Sequence, residues 1–262
     1  MMKLEIEALC QKGLVRENNE DMISLGGILL RDGEMAFPVE LNENSQFYLL
    51  VADGMGGHEH GERASEGLLE YLNDCFKENV FAAETIEDEL RSRVKSFSDS
   101  LNRQSQEEGQ VMLMGCTLTG VVWVNGKAYL LNAGDSRTYR LRNGILRQLT
   151  TDETPRGITG NPLADKWLLN CIGGGAEGRL TVVEITDRLR DGDMLFICSD
   201  GLTDMVSDES IETILADYPQ PAKELYDVAC LNGGIDNVSV IVARVSFSEE
   251  IVEANSGQTK YP

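Results

Sequence analysis

The 262-residue chain carries 23 Lys and Arg against 44 Asp and Glu, a formal net charge of −21, and 42% of its residues are hydrophobic. That content supports one large domain with a sizeable core, and the acidity weighs against nucleic acid or an anionic membrane as partner, since both bind through basic patches that displace counterions. No apolar run reaches the roughly 18 residues of a membrane span, the opening MMKLEIEALC alternates instead of forming a signal-peptide block, and the six cysteines are scattered, so a soluble, uncleaved, cytoplasmic protein with reduced thiols is expected.

Along the chain, LEIEALCQ alternates as a strand and QFYLLVAD reads as a buried one. The next segment, GERASEGLLEYLNDCF, repeats Ala64, Leu68, Leu72 and Phe76 at helical spacing, and a second helix over about 83–107 presents Leu90, Val94, Phe97 and Leu101 on one face. From Cys116 the period changes to that of strands. CTLTGVVWVNGKAYLLNAG and TYRLRNGILRQLT are hairpins turning at Asn125-Gly126 and Asn143-Gly144, a dipeptide that favours two-residue turns. Strands near 180–186 and 193–199, helices near 207–217 and 221–231, and the strand NVSVIVARV complete one domain over 1–246, followed by a polar tail over 247–262. Helices segregated from antiparallel strands indicate an α+β class, a two-sheet antiparallel β-sandwich flanked by helices in α-β-β-α layers.

Four strand ends carry an aspartate. YLLVADGMGG and LFICSDGLTDM each end an apolar strand in a small residue and Asp-Gly (Asp53, Asp200), YLLNAGDSR ends in Asp135, and Asp236 opens GGIDNVSVIVARV. Brought to one rim, such carboxylates repel strongly unless protons or cations compensate. An all-oxygen set suits magnesium, manganese or calcium, and a glycine after the Asp lets a backbone carbonyl approach the ion.

VRENNED (15–21), VADGMGGHEHGERAS (51–65), GCTLTG with NAGDSR (115–137), CSDGLTDMV (198–206) and GGIDNVSV (233–240) together resemble the ordered motif set of the metal-dependent protein serine/threonine phosphatases, the PPM or type 2C family, in its bacterial form. The match runs from about residue 4 to 245, and five motifs in register make it specific. The resemblance implies an enzyme that hydrolyses phosphoserine and phosphothreonine in phosphoproteins with two Mn2+ or Mg2+ ions. It implies that Asp53 bridges both ions, that Asp200 and Asp236 complete the first, and that Glu20 and the Gly54 carbonyl hold the second. Asp135 and Asp204, with Asp200, match a weaker third-ion site. Asp21 matches the acid that orients metal-bound water, and Arg16 the residue that grips the substrate phosphate, for which a guanidinium fork is well suited. A monomer acting on phosphorylated proteins is expected.

The chain departs from the family pattern in three places. Met55 stands where animal members carry a His proposed as general acid, Glu153 follows the Asp of TTDET where His is frequent, and Ile235 precedes Asp236 where Asp is common. His58 and His60 are the nearby candidates for a proton role, and the flap segment after Glu153 is short. Two alternatives stay open: a metal-binding module without activity, and a cysteine-dependent phosphatase built on Cys10 and Arg16 in CQKGLVR, although ENNEDM does not read as the helix that a thiolate loop requires. GGGAEG (173–178) fits a dinucleotide fingerprint only in letters, because a strand follows it where a helix is needed.

Overall fold

The computed structural model describes residues 1–56, 59–110 and 112–247. Among these, two six-stranded antiparallel sheets face each other. The first contains β1 (Met2–Gln11), β4 (Gly33–Leu41), β10 (Arg137–Arg142), β11 (Ile145–Gln148), β14 (Met194–Cys198) and β15 (Val238–Phe247), in the order β11-β10-β14-β15-β1-β4. The second contains β2 (Met22–Leu25), β3 (Ile28–Leu30), β5 (Gln46–Ala52), β8 (Leu118–Val124), β9 (Lys127–Ala133) and β13 (Thr181–Glu184), in the order β13-β9-β8-β5-β2-β3. Three two-residue strands, β6 (Gly54–Met55), β7 (Gly115–Cys116) and β12 (Ile172–Gly173), form a small separate sheet. The helices are α1 (Glu59–Glu78), α2 (Ile86–Glu107), α3 (Pro155–Thr159), α4 (Asp200–Thr203), α5 (Asp208–Asp217) and α6 (Pro221–Leu231).

Strand periodicity explains the layering. In β5, Leu49 and Val51 point between the sheets while Leu50 and Ala52 point at the helices, and in β14 Leu195 and Ile197 alternate with Phe196 and Cys198 in the same way. Both faces of these central strands are apolar because both are covered. Ala64, Leu68, Leu72 and Phe76 of α1, with Leu90, Val94 and Leu101 of α2, cover the second sheet; Ile211 and Leu215 of α5 and Leu225 of α6 cover the first. The expected α-β-β-α sandwich is the one observed. Phe97 of α2 is only partly buried and stacks on Tyr71 at 5.4 Å.

Both hairpin turns are as expected: Asn125 and Gly126 have φ of 51° and 75°, Asn143 and Gly144 51° and 74°, so both central residues of each turn are left-handed. The structure adds β2, β3, β4, α3, α4 and the small sheet, which periodicity did not reveal. Pro38 weakens the reading of β4 as a strand, yet β4 is an edge that pairs only with β1, where a missing N–H costs no ladder bond. The expected tail begins at Phe247, which is the last residue of β15, and 248–262 lie outside the described residues. No helix among the described residues is long and apolar enough to cross a membrane.

Candidate metal centre

Antiparallel pairing decides where the four aspartates meet. β5 and β9 both run antiparallel to β8 and therefore leave the second sheet at the same end, one leading into Asp53 and the other into Asp135. In the first sheet the last residue of β14, Cys198, pairs with Val240 near the start of β15, so Asp200 and Asp236 also share an end. Met22 pairs with Ala52, which sets Glu20 beside Asp53. The result is one cavity of about 380 Å³ lined by Arg16, Glu20, Asp53, Gly54, Asp135, Asp200, Asp236 and Asn237, with Met55, Met112, Lys166 and Leu168 at its sides.

Backbone contacts fix this arrangement. The Asp53 N–H donates to Thr117 Oγ1 at 3.0 Å and its carbonyl accepts from the Thr117 N–H at 2.8 Å. The Gly54 N–H donates to the Glu20 carbonyl at 3.1 Å, and Ser65 Oγ on α1 donates to the same carbonyl at 2.6 Å. Side chains are excluded at two glycines: a Cβ on Gly54 would collide with the Gly61 carbonyl, and a Cβ on Gly61 would collide with Glu20 Oε2. The strand tip, the Glu20 carboxylate and the start of α1 thus close onto one another only without those side chains.

The electrostatics are those of crowded like charges. Burial raises the Asp53 carboxyl well above its ordinary range, and the charges of Asp21, Asp200, Asp135 and Asp236 raise it further. Asp135 is raised to about 7 by burial and by Asp200 and Asp152. Burial also raises Asp200, against a hydrogen bond with Asp53 that lowers it. An oxygen-only donor set of mutually repelling, partly desolvated carboxylates beside a backbone carbonyl matches what hard divalent cations bind, and the glycine-lined seat for Glu20 fits the same use. As placed, no three His, Cys, Asp or Glu side chains among the described residues close on a single ion-sized point. Asp236 is held by Arg16 Nη2 at 2.5 Å, and Asp204 pairs with Lys166.

Of the nine residues assigned from sequence, seven line the cavity and two stand outside it. Asp21 is buried and accepts a 2.7 Å hydrogen bond from Ser199 Oγ; burial is the main cause that lifts its carboxyl to about 7. Asp204 lies at the C-terminal end of α4, where its N–H donates to the Asp200 carbonyl at 2.8 Å. His60 sits on α1 with Nδ1 3.1 Å from Gln110 Nε2 and does not line the cavity; His58 lies outside the described residues.

The sequence reading missed Asn237, although it adjoins Asp236. Its Oδ1 accepts from the Glu20 N–H at 2.8 Å while Nδ2 donates to the Lys12 and Asn18 carbonyls, each at 2.9 Å. One buried amide thereby uses its acceptor and both donors to tie the loop bearing Arg16 and Glu20 to the start of β15. Asn237→Ala is expected to weaken Mn2+ binding and lower kcat/KM about 10-fold, the worth of one or two net hydrogen bonds. Titration calorimetry beside steady-state kinetics checks this, and unchanged Mn2+ affinity would contradict it.

The family model described as "Protein phosphatase 2C" matches residues 36–227. The serine/threonine phosphatase stp of Listeria monocytogenes is 31% identical over 94% of this chain and 98% of its own length. The serine/threonine protein phosphatase PstP of Mycobacterium tuberculosis is 32% identical over 98% of this chain, which spans 47% of that longer protein. Among solved structures, the catalytic domain of PstP in complex with two manganese ions superposes with a TM-score of 0.73 at 31% identity, covering 94% of this chain and 100% of that one.

Proposed function

The chain belongs to the protein phosphatase 2C family, and from that premise we propose that its acidic cavity hydrolyses phosphoserine and phosphothreonine in phosphoproteins at a binuclear manganese or magnesium centre. The observation that carries this reading is the convergence of four strand-end aspartates and Arg16 on one cavity. An acidic protein acting on an anionic substrate needs compensating positive charge at the reacting group. When bound, the two ions supply that charge, lower the pKa of water to the neutral range and align the phosphoryl oxygens for in-line attack.

The chain's own groups take the remaining roles. Asp53, fixed through both backbone groups by Thr117, would be the ligand common to both ions; Asp200 and Asp236 would hold the first, and Glu20 with the Gly54 carbonyl the second. Asp135 and Asp204, with Asp200, are assigned to a weaker third ion. Arg16 stands at the cavity edge with half its side chain exposed, and its ion pair to Asp236 uses Nη2 of a guanidinium that carries five N–H donors, so the fork can also take phosphate oxygens. Asp21, buried outside the cavity lining but close enough for its charge to act on Asp53 and anchored by Ser199, is assigned to orient solvent. A cytoplasmic location is part of the proposal and agrees with six free cysteines.

The cysteine alternative meets physical obstacles. Cys10 is buried in β1, burial pushes its thiol up to about 12, and Asn19 Nδ2 and Ser239 Oγ each approach its sulfur at 3.3 Å. A nucleophilic cysteine needs the opposite: exposure and a depressed pKa. Phosphate release from phosphoserine and phosphothreonine peptides in Mn2+ tests the reading. Cys10→Ser is expected to keep the activity within about twofold, whereas its abolition with Mn2+ binding intact would return the reaction to the thiol.

A further inference from the structure

We infer that the two segments flanking Arg16 form an apolar shoulder that selects phosphopeptides carrying a bulky aliphatic side chain beside the phosphorylated residue. The inference rests on the phosphatase reading and adds to it what the enzyme reads outside the phosphate.

Gly13–Arg16 and Gly233–Asp236 run side by side. The Leu14 N–H donates to the Gly234 carbonyl at 2.8 Å, and the backbones are so close that a Cβ on Gly13 would collide with the Asp236 carbonyl. Gly13 and Gly234 also have φ of 77° and 53°, so each position favours glycine on conformation as well as space. The packing delivers Arg16 and Asp236 together to the edge of the cavity, joined at 2.5 Å. It also leaves Leu14, Val15 and Ile235 on the flank, 65%, 61% and 53% exposed.

Single exposed aliphatic residues are ordinary, but three from two abutting segments, on a chain of net charge −21, form a neutral apolar spot in an acidic surface. Its place determines what covers it. A peptide whose phosphate sits at Arg16 has its neighbouring residues only about 3.8 Å per Cα step away, which brings a residue next to the phosphoserine within reach of Val15 and Ile235, the chain neighbours of Arg16 and Asp236. An aliphatic side chain there removes apolar surface from water on both partners. An acidic side chain gains nothing from the shoulder and meets the negative field of the protein.

The test uses two phosphoserine peptides identical except that the residues on either side of the phosphoserine are Leu in one and Gln, of similar size, in the other. The full chain is assayed in Mn2+ for kcat/KM on each, and the ratio is the readout, so any general change in activity cancels. The wild-type ratio is expected to favour Leu about 5- to 10-fold, and the double variant Val15→Thr/Ile235→Thr, nearly isosteric at position 15, is expected to bring it to within about twofold of unity. A wild-type ratio near unity with both peptides turned over would overturn the shoulder while leaving the phosphatase reading intact. A Leu preference that persists in the double variant would also overturn it, by placing the selectivity elsewhere. Failure to release phosphate from either peptide would overturn the underlying function and the shoulder with it.

Discussion

Asp53→Asn is expected to lower kcat by about 10³-fold or more, roughly 4 kcal/mol of transition-state stabilisation. Both backbone groups of Asp53 are pinned by Thr117, so the substitution removes charge without moving the strand tip. A second readout does not depend on turnover. Burial and four neighbouring carboxylates raise the Asp53 pKa in the folded protein, so at neutral pH its ionisation opposes folding, and the neutral amide lifts that penalty. The metal-free variant is therefore expected to melt at a higher temperature than the metal-free wild type, while Mn2+ raises its Tm less. Asp204→Asn is expected to be far milder, because Asp204 lies outside the cavity in an exposed pair with Lys166. Near-wild-type rates for both variants would contradict the ligand assignment.

Arg16→Ala is expected to reduce kcat/KM about 10- to 200-fold, the worth of one charge-assisted contact at roughly 1.5 to 3 kcal/mol. Arg16→Lys keeps the charge but loses the planar fork and is expected to recover only part of the loss. The ion pair with Asp236 gives this experiment its discriminating power. If Arg16 serves the phosphate, calorimetric titration of Arg16→Ala still shows two Mn2+ sites. If its main task is to hold Asp236, one site is lost, and the assignment of Arg16 as phosphate clamp fails.

The sandwich was legible because its central strands are apolar on both faces and two of its hairpins, β8–β9 and β10–β11, turn at Asn-Gly pairs whose backbone angles few other residues accept. The aspartates were legible as a set because each stands at one end of an apolar strand, three after a strand and Asp236 before one, and antiparallel pairing brings such ends to one rim. What stayed hidden depends on contacts distant in sequence. Asn237 looks like an ordinary strand-start residue until its amide is seen to reach Lys12, Asn18 and Glu20. Thr117 and Ser65, which fix Asp53 and the Glu20 carbonyl, carry no periodic signal at all. Strands as short as β6, β7 and β12 cannot show a period of two, and β4 was masked by Pro38, a residue its edge position tolerates.

The central claim is that phosphate release depends on divalent ions held by these carboxylates. It is tested most directly by assaying a phosphoserine or phosphothreonine peptide after exhaustive chelation and again after Mn2+ or Mg2+ is restored. Loss of activity in chelator and its return with added Mn2+ in the wild type, with no return in Asp53→Asn, is the predicted result. Full activity in the exhaustively chelated wild type would contradict it.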